Sequence, residues 1–300
     1  MRLQDVTSSK PVTWLGLTLA HRLSPRAGYG LARFIARRIA RHKPALYQTV
    51  QANLRQVLGP GASQARLDNL TYQVFLHAGQ TTYDFFHALD LPADQLAHKV
   101  PPPEWFLERV RTETARGRGV LLLGIHMSNF DLGILSLGAH NLPIQVLSLA
   151  NPTAGFRVFN RLRAKTGLEL TPITPQALRA AVRRLRRGGM VLTGADRPIP
   201  EDRELIPFCG RPAYLPMGPA RLALLTDALV FLGACCYDAA QGYRMVIHGP
   251  LEMARSGDRE ADVFTNTCRI AALIETEVRR RPEQWLMFHP FWPDDDGTET

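Results

Sequence analysis

The hydrophobic positions of this chain change rhythm about a third of the way along. Over residues 28–59 they recur at helical spacing, with Leu31, Phe34, Ile35 and Ile39 on one side and Arg33, Arg37, Arg41 and Lys43 on the others. Pro44 predicts an end or a bend in that helix. A second helical pattern over residues 67–91 carries Leu70, Val74, Phe75, Ala78, Phe85 and Phe86, and a connection containing Pro101, Pro102 and Pro103 follows. Beyond it, short β-rich runs alternate with helical ones. Strands are expected at 119–125, 144–149, 190–194, 229–237 and 243–248, and helices include 177–187 and 219–226. That alternation predicts an α/β fold with a mainly parallel central sheet flanked by helices. No composition break or internal repeat divides the chain. A single domain over 1–300 is expected, with an N-terminal amphipathic helical segment at 1–45 and an α/β core at 110–292.

Charge narrows the partners. The chain has 36 Lys plus Arg against 27 Asp plus Glu, a formal charge of +9, which points to an anionic partner such as a membrane surface, a phosphorylated small molecule or nucleic acid. The run RAAVRRLRR at 179–187 is where a nucleic-acid reading would begin. Its Leu178, Val182 and Leu185 keep helical spacing, so a solvated basic face explains it. No aromatic residues are interleaved to stack bases, and nucleic acid is not expected as a partner. The basic N-terminal helix fits a peripheral membrane contact and equally a helix packed on the core with solvated arginines. The first eleven residues lack a secretory signal, and the apolar stretch 12–20 falls far short of the roughly 20 residues that span a bilayer. Cys209, Cys235, Cys236 and Cys268 form no C-x-x-C pair and read as reduced core residues.

One polar residue stands out at a strand end. In GRGVLLLGIHMSNFDLGI, His126 closes an apolar run and Asp131 follows five positions later. The carboxyl edge of an open α/β sheet is where ligands bind. An imidazole whose tautomer is fixed by a carboxylate is a general base near neutral pH, so His126 and Asp131 form a candidate catalytic pair. Spacing alone carries little weight. With 27 acids among 300 residues, nine histidines give about one such match by chance. Two exist, and the second, His289 with Asp294, lies among prolines and acids without a strand-turn-helix context. Asp131 also fits a capping box opened by Ser128, and Asn129 serves either an amide contact to substrate or the helix start.

Other chemistries lack their signatures. No G-x-S-x-G surrounds Ser128, no H-E-x-x-H or Cys/His cluster offers a metal site, and neither G-x-G-x-x-G nor G-x-x-x-x-G-K-[ST] occurs. No metal or cofactor is expected. A base without a protein nucleophile suggests direct transfer to a substrate hydroxyl.

HMSNFD resembles the H-x4-[DE] motif of the bacterial lipid acyltransferase family that includes the late acyltransferases of lipid A biosynthesis. VQANLRQVLG, FNRLRAKTGLEL, GMVLTGADRPIPEDRELIPFCGRPAYLPMGPARLALLTDALVF and RPEQWLMFHPFW resemble further family segments in the same order, together covering 50–292. Arg197 after Asp196 makes the chain similar especially to the phosphatidylinositol mannoside acyltransferase branch. The resemblance implies a glycerol-3-phosphate acyltransferase-like fold. It also implies an acyl-CoA or acyl carrier protein donor, a glycolipid or phospholipid acceptor and a peripheral place on the cytoplasmic face of the membrane. It assigns His126 as base oriented by Asp131, Arg163 to donor phosphate or the oxyanion, and Asp196, Arg197 and Asn129 to substrate binding. A thioesterase, with water in place of the acceptor hydroxyl, and a non-catalytic membrane-surface protein remain the alternatives.

Overall fold

A computed structural model describes residues 22–148, 168–197 and 202–293. Helix α1 (Pro25–His42) opens with Ser24 as N-cap and Pro25 in its first turn, and it stops where Lys43 turns into the left-handed region before Pro44. The chain continues as α2 (Ala45–Leu58), α3 (Gln64–Ala88), α4 (Ala93–Ala97) and α5 (Glu104–Ala115). Helix α1 lies on α3 through small residues. Gly28, Ala32 and Ala36 are buried, and a Cβ added at Gly79 would stand 2.9 Å from that of Ala32, so the two backbones approach closely. Leu31, Phe34 and Ile35, the large apolar side read from the sequence, are left exposed beside Arg33, Arg37, Arg38 and Arg41. Asp84 of α3 accepts from Tyr29 of α1 at 2.8 Å and from Tyr243, tying the first helices to the sheet.

The sheet is built from β1 (Val120–Gly124), β2 (Ile144–Ser148), β3 (Glu169–Pro172), β4 (Met190–Gly194), β7 (Leu229–Asp238) and β8 (Gly242–Leu251), in the order β3-β2-β4-β1-β7-β8. All neighbours run parallel except β7 and β8. Helices α6 (Phe130–Ala139), α7 (Pro175–Arg186), α8 (Gly218–Thr226) and α9 (Arg259–Arg280) complete the connections. A separate hairpin pairs β5 (Arg203–Phe208) with β6 (Arg211–Pro216). The mainly parallel sheet and its five sequence-predicted strands are as expected; β3 and the hairpin are additions.

Continuous apolar runs such as VLLLG suit strands covered on both faces. Leu121, Leu123, Val191, Val230 and Leu232 pack toward α7, α8 and α9. Val120, Leu122, Leu192 and Phe231 pack toward α5 and α6. The side chains thus alternate between two cores, and a third, smaller core joins α1, α2 and α3 to the C-terminal segment. Cys209, Cys235 and Cys236 are buried and Cys268 is half-buried, all as free thiols. Among the described residues no helix is long and apolar enough to cross a membrane.

Candidate active site

Strand β1 runs between β4 and β7, and the chain leaves β1 for β2 on one side and later returns for β7 on the other. The carboxyl ends of β1 and β4 therefore meet where the connections diverge, the place where a crevice opens in such sheets. Gly124 is in register with Gly194. His126 and Asp196 each stand two residues beyond that pair, so adjacent strands deliver them to the same point. The His126 Nδ1 lies 2.6 Å from Asp196 Oδ1, while Asp196 Oδ2 accepts from the His126 backbone N–H at 2.9 Å and from the Trp285 indole at 3.0 Å.

Asp196 is fully buried. Burial by itself pushes its carboxyl up. The charge of the His126 ring and the hydrogen bonds from that ring, its backbone N–H and Trp285 outweigh burial and hold the group below the ordinary carboxylate range. An ionised Asp196 makes Nδ1 the donor and leaves Nε2 as the ring's basic atom. The imidazole packs edge-on to Phe130 at 4.8 Å and is 17% exposed, enough for a ligand to reach it.

This revises the assignment read from the H-x4-D spacing. The carboxylate at Nδ1 is Asp196, not Asp131. Asp131 sits in the first turn of α6, and it adds to the effect of burial in keeping the Cys235 thiol protonated. The substrate-binding role expected of Asp196 is likewise replaced, because a carboxylate with no exposed surface and both oxygens engaged has nothing to offer a ligand. Ser128 is not the helix cap. Asn129 is, its Oδ1 accepting from Leu132 N–H at 3.2 Å while its amide donates to the Thr81 carbonyl at 3.1 Å. One end of that buried side chain caps α6 and the other ties it to α3, so both are engaged within the protein. Arg197 lines the cavity beside His126. Arg163 and Asp294 lie outside the described residues.

The loop after His126 is held by two elements that sequence reasoning did not place here. Leu286 N–H donates to the His126 carbonyl at 2.8 Å and Ser128 N–H to the Gln284 carbonyl at 2.7 Å, so the C-terminal segment forms a short antiparallel bridge along the loop. Ser128 adopts φ 49°, and its hydroxyl pairs with His77 Nε2 of α3 at 3.0 Å. Position was the available signal for His77, since its spacing from Val74 and Thr81 puts it on the buried row of α3.

His126 stands on the wall of a cavity of about 1100 Å³. Its closed end lies between α6 and the sheet, where Leu122, Leu137, Val146, Cys235 and Met245 are buried. Gly124, Gly194 and Gly233, in register on three neighbouring strands, remove side chains from one row of the sheet, and all three line the space. The opposite, open side is bounded by α7 and α8. The arrangement can take a long apolar group and present its polar end to a base.

Known proteins resemble this chain over most of its length. A sequence profile described as bacterial lipid A biosynthesis acyltransferase matches residues 7–293. A phosphatidylinositol mannoside acyltransferase of Mycobacterium tuberculosis (strain CDC 1551 / Oshkosh) is 25% identical over 262 residues, which are 86% of this chain and 80% of the relative. One from Mycolicibacterium smegmatis is 28% identical over 187 residues, 61% of this chain and 60% of that protein.

Burial drives the His77 imidazole down from 6.5 to about 4. The unfolded chain takes up that proton from pH 6.5 downward and the folded chain resists it, so stability is full above 6.5 and falls as pH drops toward 4. Urea unfolding across this window should show the wild type losing stability, with about 3 kcal/mol of the loss absent in His77→Gln. Parallel losses in the two proteins would mean that His77 is not the group responsible.

Proposed function

This chain belongs to the bacterial lipid A biosynthesis acyltransferase family, and we propose that it is an O-acyltransferase moving a fatty acyl group from a thioester donor to a hydroxyl of a membrane glycolipid or phospholipid. The observation that carries the reading is the His126 imidazole, fixed at Nδ1 by a buried carboxylate and standing on the wall of a mainly apolar cavity. Acyl-CoA and acyl carrier protein both fit the donor. The mannoside-lipid names of the relatives favour a glycolipid acceptor.

In this mechanism the acyl chain lies in the closed apolar end, which brings the thioester carbonyl to the sheet edge. Nε2 of His126 accepts the acceptor hydroxyl proton while that oxygen bonds to the carbonyl carbon. The tetrahedral adduct then collapses, the carbon–sulfur bond breaks, and the imidazolium returns its proton to the departing thiolate. Asp196 stays ionised throughout, holding the tautomer and stabilising the imidazolium. Resemblance alone keeps Arg163 as a contact to donor phosphate or the oxyanion, and Arg197 on the cavity wall remains a candidate substrate contact.

We also propose that the protein works peripherally on the cytoplasmic face of the membrane, docking through α1. Leu31, Phe34 and Ile35 are exposed, and the neighbouring arginines suit anionic headgroups, each basic residue being worth about 1 kcal/mol near such a surface.

Incubating membrane lipids and labelled acyl-CoA with the protein should yield a labelled lipid identifiable by mass spectrometry. His126→Ala is expected to lower its formation by about 10²–10⁴, and Asp196→Asn, which keeps the size but reverses the tautomer, by a comparable factor. Asp131→Asn should cost much less. Free fatty acid in place of acylated lipid would favour a thioesterase, and full activity in His126→Ala would refute the base.

Vesicles containing anionic lipid should bind the wild type in a salt-sensitive manner, and Phe34→Ser combined with Arg37→Gln should release it. Binding indifferent to salt, to anionic lipid and to those substitutions would remove α1 from the interface.

A further inference from the structure

We propose that His77 is a positioning residue for His126, holding Ser128 in the left-handed turn that carries the base to Asp196 at the sheet edge. The proposal rests on the acyl-transfer reading and adds to it a residue from outside the cavity lining. Ser128 lies in the connection 125–129 between β1 and α6 with φ 49°. A side chain is disfavoured in that region because its Cβ crowds the following carbonyl, whereas glycine enters it freely. Among the described residues the other non-glycine positions with positive φ are Lys43, Asn141, Cys209 and Asp227. Lys43, Asn141 and Asp227 follow helix ends and Cys209 turns the β5–β6 hairpin, the usual places for such a backbone. Ser128 instead leads into a helix, two residues after the base. A disfavoured conformation of this kind persists where its surroundings fix it.

Two elements supply those surroundings. From α3, His77 Nε2 pairs with the Ser128 hydroxyl at 3.0 Å, and one helical turn further on the Thr81 carbonyl accepts from the Asn129 amide at 3.1 Å. The C-terminal segment accepts the Ser128 backbone N–H at 2.7 Å and donates the Leu286 N–H to the His126 carbonyl at 2.8 Å. The backbone bonds would form with any residue at position 128. The bond to His77 depends on the side chain there, so it ties the unfavourable torsion to a particular partner. Both partners are buried, and burial keeps the imidazole neutral at working pH, so the pairing carries no buried charge.

Loss of the contact leaves a buried hydroxyl unpaired and frees the turn to relax toward the ordinary regions of backbone space. His126 is two residues upstream, so that relaxation displaces its ring from the line between Asp196 and the cavity. Misplacing a reacting group by about 1 Å can cost about 10²-fold in rate. A core histidine that only filled space would change stability and leave the rate of the folded protein as it was.

The test compares wild type with His77→Leu, Ser128→Ala, Ser128→Gly and the double variant His77→Leu/Ser128→Gly. Each is assayed for transfer from palmitoyl-CoA to membrane lipids at a temperature where circular dichroism shows it folded. His77→Leu and Ser128→Ala should each lower kcat by about tenfold to a hundredfold, with the KM for palmitoyl-CoA changing much less. Ser128→Gly should keep far more of the rate than Ser128→Ala, because glycine enters the left-handed region unaided. The double variant should recover most of what His77→Leu loses, since it also removes both polar partners together and leaves neither buried alone. In histidine-labelled protein the nitrogen NMR signal of His126 should move in His77→Leu and return in the double variant. Wild-type kcat in His77→Leu overturns the proposal, as do equal rates in Ser128→Ala and Ser128→Gly, or a loss in His77→Leu that Ser128→Gly leaves unrepaired. Should His77→Leu fail to fold, Ser128→Ala against Ser128→Gly makes the same comparison. A wild type that transfers from no thioester refutes the acyl-transfer reading instead, and the His126 signal then still decides the role of His77.

Discussion

Asp196 has no exposed surface, and an ionised carboxylate is tolerated there because three N–H groups converge on it: the His126 ring, the His126 backbone and the Trp285 indole. Removing one partner from a buried charged pair typically costs about 3–5 kcal/mol, since the remaining charge has lost its water as well as its neighbour. The same interaction that makes the burial possible fixes the imidazole. The ring's orientation and its tautomer both follow from it.

The donors are held in turn by distant parts of the chain. Trp285 bridges Met127 in an antiparallel pairing, and the segment beyond it is anchored by Asn53 of α2. That amide donates to the carbonyls of Met287 and His289 at 3.1 and 2.8 Å, and its oxygen accepts from Phe291 N–H at 3.3 Å. A buried asparagine with those polar bonds satisfied is costly to replace by any apolar residue of similar volume. This gives a physical account of the NL segment and the tryptophan-containing C-terminus. They lie more than 200 residues apart in sequence and act on one loop, Asn53 by fixing the segment that carries Trp285, and Trp285 by completing the shell of Asp196.

The central strands were legible because strands covered on both faces have little choice but to be almost continuously apolar, as in β1, β4 and most of β7, whereas the edge strand β8 carries Arg244 and His248 and buries only Met245. Strand β3, Glu169–Pro172, was not, since it is short, at the sheet edge and partly exposed. Its polar residues give no period to read. His126 was visible as a polar group ending an apolar run. Its partner was misread because spacing along the chain was taken for proximity, whereas proximity here comes from strand register. The sequence did carry the clue: LLLGIH and VLTGAD have the same form, a glycine two residues before the polar group, and parallel neighbours in register place those groups side by side. For α1 the helical period was readable, but which face packs was not. Small residues bury through close backbone approach, and hydrophobic size alone selects the opposite side.

The most direct measurement is the nitrogen NMR spectrum of the protein labelled at histidine, with His126 assigned by its loss in His126→Ala. The account predicts that the ring in its neutral form carries its proton on Nδ1 and is bare at Nε2, and that Asp196→Asn changes it to the other tautomer while Asp131→Asn leaves the signal in place. A neutral ring protonated at Nε2 in the wild type, or one that responds to Asp131→Asn and ignores Asp196→Asn, would contradict it.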